Sequence, residues 1–578
     1  MEISSLIHYQ DSSFSYPLSN REFFILLKAK KGDVAHVSCL YSSIHPYKDR
    51  REVEPLTLSG TDGVYDYFSG IIGKAFMGSE DYAFQKDHPY PGYTYYFMIE
   101  GKDGTKLYLT SGGAIKDMES DNYSELFLAS FPNIIDRAKQ NPLLGGYPVY
   151  QIFPDRFNRG KDEPSCSWMN ESKEASYPDN SKFCGGDIKG IIEKLDYLKN
   201  LGIKAIYLNP INPSPTAHHY EVEDYLSLDP RLGTGEDFLI LAKEMHSRDM
   251  VLCLDLVFNH CGDKNPLFVD VIEKGKNSKY ASWFFLNQDT PKVSKGNYLY
   301  FGHNPKMPKL NTSNPEVISY FKEVGLFWLK RGVDGFRLDV SDEVSHAFWR
   351  SFKEACKKEN PNVFLIGEEW NLSLNRVSVS EWDATMDYPF RHAVINFLLY
   401  DKGDEYLSNE LTRQLYSYPY PFRLNFLNLL SSHDTPRIFT ILKKNKDKAL
   451  EAAALSVAYP GLPDVYYGDE IFMEGENDPG CRKYMEWGSK EFEGSSYRLF
   501  KELMNLRKHY PSLRQGTTTI SRINNLVKIE RKLGDETVSA FFSSSKGGYL
   551  PIEGKIIASS NLVDNRLGPF GFAFLLKA

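Results

Sequence analysis

The chain is 578 residues long, 42% hydrophobic and 25% charged, with a formal net charge of -8 at pH 7. This length exceeds what one hydrophobic core supports, so we expect about two to four domains. The acidic balance argues against a nucleic-acid or polybasic membrane surface, and no apolar run reaches the roughly 18 residues of a membrane span. The seven cysteines form no CxxC pair, which disfavours a disulfide framework or a zinc site. With an N-terminus that lacks an apolar leader, these features predict a cytoplasmic protein.

Residues 1 to about 128 predict short strands at 22–27, 34–41 and 93–99, with turns at 60–63 and 101–104. Several short strands separated by turns are typical of a β-sandwich. We therefore place an N-terminal β-sandwich domain at residues 1–128.

From about residue 147, apolar strand runs alternate with helical periodicity. The predicted elements are strands at 147–153, 205–208, 250–257, 335–340 and 363–366, and helices near 189–201, 234–248, 315–331 and 345–358. Repeated βα units over this length predict a parallel sheet closed into a (β/α)8 TIM barrel at 129–511. A segment at about 261–308 is inserted after the third strand, in a loop at the barrel face where active sites lie.

After a helix predicted at 495–509, strands return at 525–531 and 537–542, with Gly547 and Gly548 between segments. These residues predict a smaller, C-terminal β-sandwich domain at 512–578. The predicted fold class is therefore α/β, a TIM barrel flanked by two β-sandwich domains.

Four short blocks, at 255–260, 335–339, 367–370 and 433–437, each place an acidic residue at or near the end of an apolar run. The carboxyl ends of barrel strands meet at one face, so these acids can converge on one pocket. The plainer interpretation of any single pair is a salt bridge at the barrel top. Four such blocks, each with a His, Arg or Trp beside the acid, favour an active site.

Arg337 and Asp339 are two residues apart on the predicted fourth strand, so their side chains share a face. The adjacent guanidinium should lower the pKa of Asp339, which suits a nucleophile. Glu368 ends the predicted fifth strand, and its neighbour Trp370 could supply a low-dielectric wall that keeps a carboxylic acid protonated. Two such carboxyls can cleave a glycosidic bond, with retention at a separation of about 5–5.5 Å and inversion at about 6.5–9.5 Å.

In order and content, the four blocks resemble the alpha-amylase family of retaining glycoside hydrolases. The resemblance implies Asp339 as nucleophile, Glu368 as general acid/base and Asp434 as a third carboxylate that binds the sugar ring. Glu343 and Glu369 are the rivals for the acid role. Glu368 is preferred because it directly follows a glycine, as in the family.

The same resemblance implies five supporting residues. His260 and His433 would hydrogen-bond the sugar that precedes the scissile bond, and Arg337 would orient the nucleophile. Asp255 and Asn259 would hold the end of the third strand in place.

A narrower resemblance, to the neopullulanase, cyclomaltodextrinase and maltogenic amylase group, rests on the segments 150–157, 185–187, 307–312, 340–344 and 477–482. It implies hydrolysis of α-1,4 links in cyclodextrins, pullulan, starch and maltodextrins, with some transglycosylation. It also implies a homodimer in which the N-terminal domain of one subunit helps to shape the pocket of the other.

Further candidate contacts with an α-glucan are Glu343, Trp370 and Arg482, together with Tyr220. Tyr220 is the candidate aromatic platform for the sugar at the cleavage site; the alternative is a buried core tyrosine. Glu221 follows it where the family usually has Asp.

Many relatives bind a structural calcium in the loop after the first strand, using positions 185 and 187 with nearby Asn and Asp oxygens. Here Arg159 and Lys161 stand where such ligands are expected, and two cations should repel a hard cation that needs several oxygens. We therefore expect no required cofactor and no calcium. The alternative is a shifted site at Asn158, Asp162 and Asp187.

Two other functions fit parts of the sequence. A branching enzyme or glucanotransferase of the same family would use the same three carboxylates and differ in how well a sugar acceptor outcompetes water. A non-catalytic sugar-binding or scaffold relative would have lost at least one of the three, and all three are present.

Overall fold

The computed structural model describes residues 1–44, 51–74, 92–118, 125–130, 137–161, 163–173, 177–551 and 553–577. It divides into two compact units. The first comprises Met1–Lys139, Lys402–Arg423 and Thr519–Ile529, and the second Gln140–Asp401, Leu424–Thr518 and Glu530–Ala578. The boundaries at residues 128 and 511 stay predictions.

The N-terminal part is an antiparallel β structure built around a large apolar cluster. Its strands are β1 Ser15–Pro17, β2 Phe23–Lys30, β3 Val34–Ser43, β4 Glu52–Thr61, β5 Tyr65–Ile72, β6 Tyr93–Gly101, β7 Lys106–Thr110, β8 Gly113–Ile115 and β9 Phe127–Ala129. They pair in the order β1-β2-β5-β4-β3-β6-β7-β8, and β9 pairs with β6. Alternate residues such as Ile25, Leu27, Phe97 and Ile99 point inward and are fully buried.

The turn predicted at 60–63 is only partly correct, because Gly63 lies between β4 and β5 but Gly60 does not. Gly60 lies inside β4, where the register with β5 shifts between Leu58 and Gly60. The glycine therefore marks a bulge within a strand, which is the other common role of an isolated glycine in a strand pattern.

Eight parallel strands form the barrel of the second unit. They are β10 Val149–Ile152, β11 Ala205–Leu208, β12 Val251–Val257, β13 Gly335–Asp339, β14 Phe364–Gly367, β15 Ala384–Thr385, β16 Leu427–Leu429 and β17 Leu462–Tyr466. Their order is β15-β14-β13-β12-β11-β10-β17-β16, and a parallel bridge between Met386 and Leu427 joins the two ends. Every residue of these strands is buried, as expected for a parallel sheet covered on both faces. The predicted TIM barrel is confirmed.

The helices follow the predicted alternation. They are α1 Pro154–Phe157, α2 Ile188–Glu193, α3 Leu195–Leu201, α4 Gly235–Ser247, α5 Pro266–Lys274, α6 Pro315–Leu329, α7 His346–Glu359, α8 Tyr388–Leu398, α9 Gly403–Leu415, α10 Tyr420–Arg423, α11 Ile438–Ile441, α12 Lys446–Ala458, α13 Ser495–His509 and α14 Pro511–Gln515. The single helix predicted at 189–201 is instead two, because the chain leaves helical geometry at Lys194. Across the described residues, we find no helix with the length and apolarity to cross a membrane.

The segment inserted after β12 contains α5 and an apolar cluster of its own. Phe268 on α5 packs against Phe284 and Tyr298, each with ring centroids 4.9 Å away. A backbone hydrogen bond from the N–H of Cys261 to the carbonyl of Pro308 closes the segment at its base. The insertion is thus a small packed subdomain at the mouth of the barrel.

The C-terminal strands are β18 Thr517–Ile523, β19 Leu526–Leu533, β20 Glu536–Ser543, β21 Gly548–Tyr549, β22 Lys555–Val563 and β23 Arg566–Lys577. The long strand β23 pairs antiparallel with β20, β21 and β22. Gly548, predicted to lie between strands, belongs to β21. The predicted C-terminal β domain is otherwise confirmed.

Candidate active site

A pocket of about 500 Å³ opens at the carboxyl ends of the barrel strands. Its lining residues are His218, Tyr220, His260, Phe301, Met307, Asp339, Val340, Asp342, Glu343, Glu368, Trp370, His433, Asp434, Asp478 and Arg482. Nine of the twelve predicted site residues are in this lining. The other three, Asp255, Asn259 and Arg337, are fully buried and hold the lining residues from below.

Arg337 connects the acids of three neighbouring strands. Its Nη1 is 3.0 Å from Oδ1 of Asp339 and 2.9 Å from Oδ2 of Asp255, and its Nη2 is 2.8 Å from Oε1 of Glu368. Strand register places Asp255 opposite Arg337, and Asp339 lies two residues further along β13. One buried guanidinium therefore fixes the two carboxyl groups that project into the pocket.

Tyrosines complete the layer beneath the pocket. The hydroxyl groups of Tyr207 and Tyr220 donate to Oδ2 of Asp255, at 2.8 and 2.9 Å. Leu310, at the end of the inserted segment, donates its backbone N–H to the carbonyl of Asn259 at 2.9 Å. Asp255 and Asn259 thus brace the end of β12 and its loop.

The expected low pKa of Asp339 is wrong. Burial and the neighbouring Glu368 raise the pKa of Asp339 well above its ordinary value, and Arg337 opposes this only in part. Burial also raises the pKa of Glu368, against the effect of Arg337. Desolvation is the largest influence on both groups and outweighs the charge of Arg337. The pair therefore retains a proton to higher pH than two free carboxyls would.

Glu368 is held in place from both sides. Its Oε2 accepts the backbone N–H of Val340 at 2.8 Å, just past β13. At Gly367, a side chain would lie 2.3 Å from the Trp382 ring, so β14 needs a glycine there. Of the two rival acids, Glu343 lines the pocket and is paired with Lys309, whereas Glu369 is outside the lining.

Asp434 is the carboxylate held ionised. Burial favours its neutral form, but His433 and Arg482 outweigh burial and hold the pKa of Asp434 below its ordinary value. Nε2 of His433 is 2.9 Å from Oδ2 of Asp434, and Nη2 of Arg482 is 3.2 Å from Oδ1 of Asp434. Arg482 also donates to the carbonyl of His433 at 2.8 Å, which ties the two partners of Asp434 together.

Aromatic rings form two walls of the pocket. Phe301, from the inserted segment, stacks on His260 with centroids 4.8 Å apart and an angle of 4°. Trp370, 46% exposed, stacks on the buried ring of Tyr388. Tyr220 stacks on His433 at 5.4 Å and 11° and is 8% exposed, so only its edge borders the pocket.

Six lining residues had not been predicted as site residues: His218, Phe301, Met307, Val340, Asp342 and Asp478. Four of them lie in the segments 307–312, 340–344 and 477–482 already identified by resemblance, and His218 lies two residues before Tyr220. Membership of these segments, or nearness to Tyr220 in the sequence, was therefore the available signal. Phe301 had none, because its place depends on how the inserted segment folds back over His260.

Comparison with known proteins identifies the family to which the chain is similar. The chain matches the alpha amylase catalytic domain over residues 151–497 and the alpha amylase N-terminal ig-like domain over residues 1–133. It is 34% identical over 561 residues to Neopullulanase 2 of Thermoactinomyces vulgaris, covering 94% of this chain and 91% of that one. It is 32% identical over 562 residues to the intracellular maltogenic amylase of Bacillus subtilis (strain 168), covering 94% and 91%. A solved structure of a cyclomaltodextrinase matches with a TM-score of 0.87 at 30% identity, over 100% of this chain and 98% of that one.

A TIM barrel whose strand ends carry paired carboxyls in one pocket has the arrangement used by glycoside hydrolases. The chain belongs to the alpha-amylase family, and the family and enzyme class predicted from the sequence are confirmed.

Proposed function

We propose that this enzyme hydrolyses α-1,4-glucosidic bonds of cyclodextrins, pullulan, starch and maltodextrins with retention of configuration, and transfers some glycosyl groups to sugar acceptors. The observation that carries the proposal is the single Arg337 guanidinium that contacts both Asp339 and Glu368 in one pocket. The names of the relatives, a neopullulanase, a maltogenic amylase and a cyclomaltodextrinase, support the substrate class.

In the first step, protonated Glu368 gives its proton to the glycosidic oxygen while Asp339 attacks the anomeric carbon. The carbon–oxygen bond to the leaving sugar breaks and an ester to Asp339 forms. In the second step, Glu368 accepts a proton from water, which attacks the same carbon and releases Asp339. Two inversions give net retention.

Asp434, held ionised by His433 and Arg482, is suited to accept hydrogen bonds from ring hydroxyls and to stabilise positive charge at the anomeric carbon. Nε2 of His260 is buried and has no hydrogen-bond partner in the described part of the chain, so it is available to a sugar hydroxyl. Both proton transfers use carboxyl groups. We therefore propose that catalysis requires no metal or other cofactor.

Assembly and location are also part of the proposal. The name of the intracellular relative and the seven free cysteines support a cytoplasmic enzyme. The N-terminal β domain is proposed to form the contact of a homodimer. Light scattering on the full chain and on a variant without residues 1–128 tests this, provided that the shortened chain folds.

The test of the activity is product chromatography on β-cyclodextrin, pullulan and soluble starch side by side, with Asp339→Asn as the control. We expect new reducing ends from at least one substrate and none from the control. On maltotriose, products longer than the substrate with little reducing sugar released would favour a transferase. No turnover of any α-glucan would overturn the proposal.

A further inference from the structure

The loop between α1 and α2 contains an arginine whose charge points inward. The Arg159 side chain is only 11% exposed, and its Nη1 donates to the carbonyl of Gly185 at 2.9 Å. The same atom is 3.7 Å from Oδ2 of Asp187, and Nη2 donates to the carbonyl of Pro164. The guanidinium also lies over the Trp168 ring, 5.9 Å from its centroid. One cationic side chain thus contacts oxygens of three residues from two separated parts of the loop.

Two of these oxygens belong to residues 185 and 187, the positions for which the family resemblance implies a calcium ion. Calcium needs about six to eight oxygen ligands at roughly 2.3–2.6 Å. Here a fixed positive charge already contacts the carbonyl of Gly185 and Oδ2 of Asp187. The other Asp187 oxygen, Oδ1, accepts the N–H groups of Gly160 and Gly190 at 3.0 and 2.7 Å. The described residues therefore do not fit a calcium ion.

The alternative calcium site predicted at Asn158, Asp162 and Asp187 does not fit a calcium ion at its described positions either. The Asn158 side-chain amide donates to the carbonyl of Gly190 at 3.0 Å, and its backbone carbonyl accepts the N–H of Asp187 at 3.0 Å. Asp162, the third member of that set, lies outside the described residues.

We propose that the Arg159 guanidinium is the structural cation of this loop and takes the place of a bound metal ion. A planar guanidinium with several N–H donors can bind oxygens in different directions, as a metal ion does. Unlike a bound metal ion, it is covalently attached and cannot leave the site. The second cation expected to repel calcium, Lys161, is exposed, and its backbone N–H donates to Glu193 at 2.9 Å. The two cations therefore differ, and only Arg159 takes this role.

The loop held by Arg159 extends to the pocket. Oδ1 of Asn180 accepts from Arg482 at 3.0 Å, and its amide donates to Asp478 at 3.3 Å. Arg156 holds the same end of the loop through the carbonyls of Asp179 and Lys182, at 3.1 and 2.8 Å. A fixed cation at Arg159 would thus preserve a loop that supports two lining residues without any dependence on calcium supply.

The test measures melting temperature and calcium binding of the full chain, in excess calcium and in excess chelator, so it does not depend on the proposed activity. The wild-type protein should melt at the same temperature in both and bind no calcium by titration calorimetry. Arg159→Asp removes the cation and adds a carboxylate beside Asp187. It should melt several degrees lower in chelator, recover at least partly in calcium, and gain calcium binding. Lys161→Ala, the matched control, should behave as wild type.

A wild-type melting temperature that falls on chelation would overturn the proposal. So would an Arg159→Asp variant that melts as wild type in both conditions. If that variant does not fold, Arg159→Lys keeps the charge but loses the planar guanidinium. It should melt below wild type and be insensitive to calcium, and a wild-type melting temperature in Arg159→Lys would overturn the role of the planar guanidinium.

Discussion

Trp370 stacks face to face on Tyr388, with ring centroids 4.2 Å apart and an angle of 10° between the rings. The tyrosine is fully buried and the tryptophan is 46% exposed, so the buried ring fixes the orientation of the exposed one. One face of the indole is therefore covered and the other borders the pocket, which is the arrangement of a sugar-stacking platform.

The first prediction concerns this platform. Trp370→Ala should raise KM for maltotriose and β-cyclodextrin by ~2- to 10-fold, because one aromatic contact is worth about 0.5–1.5 kcal/mol. Trp370→Phe should retain part of the affinity. Tyr400→Ala, which changes an exposed ring outside the lining, is the control and should leave KM unchanged. An unchanged KM in Trp370→Ala would remove Trp370 from the substrate contacts.

The second prediction separates the two catalytic carboxyls by pH. Because Glu368 raises the pKa of Asp339, Glu368→Gln should lower that pKa. With an aryl maltoside, whose leaving group needs no proton, the variant should keep partial activity. The acidic limb of its pH–rate profile should move to lower pH, and the alkaline limb of that profile should disappear. Glu369→Gln, the neighbouring control, should keep the wild-type profile. An acidic limb that stays in place would contradict the coupling of Glu368 to Asp339.

The third prediction concerns the nucleophile itself. Asp339→Asn is nearly isosteric and removes only the attacking charge, so hydrolysis should be lost while the melting temperature stays within a few degrees of wild type. Reducing-sugar assays and thermal melts of the same preparation check both parts. Turnover near the wild-type level on cyclodextrin would refute the assignment.

The fourth prediction concerns a buried acid outside the active site. Both oxygens of Asp464 on β17 lack a hydrogen-bond partner within the described residues, and burial raises the pKa of Asp464 to about 8. The folded state therefore binds this proton more tightly than the unfolded chain. The stability that Asp464 contributes falls as pH rises between about 4 and 8, by at most on the order of 5 kcal/mol. Asp464→Asn should raise the melting temperature, with a gain that grows from about pH 5 to pH 8. Asp535→Asn, in an exposed turn, is the control and should show no such trend. A gain in the melting temperature of Asp464→Asn that does not depend on pH would argue against a buried proton.

The fifth prediction concerns acid sensitivity of the N-terminal domain. His8 is enclosed by Phe14, Phe97 and Phe127, and burial lowers the pKa of His8 to about 4. The unfolded chain binds this proton first, so the protein loses stability as pH falls from about 6.5 to 4, by roughly 3 kcal/mol. His8→Gln should reduce the loss of melting temperature over this range. His36→Gln, at an exposed position, is the control and should not reduce this loss. Equal losses of melting temperature in both variants would exclude His8 as the cause.

The fold was largely predictable because its signals are local. Buried parallel strands give continuous apolar runs, and the paired carboxyls follow those runs at the strand ends, so β12, β13 and β14 were found with Asp255, Asp339 and Glu368. Residues carried by folded loops were harder to find. Phe301 reaches the pocket only because the inserted segment packs over His260. The pKa of Asp339 was predicted in the wrong direction, because the sequence shows the neighbouring charge but not the depth of burial.

The closure of the barrel is uneven around its circumference. Five register pairs join β12 to β13, whereas two join β14 to β15 and a single backbone bridge, Met386 to Leu427, joins the last gap. Local opening costs least where backbone pairing is sparse, so amide exchange should be faster on the β14–β15 side than at β12–β13. Asp339 is thus carried on the tightly paired side and Glu368 next to the loosely paired one. On that side, where backbone pairing is sparser, the contacts with Arg337 and Val340 hold the Glu368 carboxyl in place.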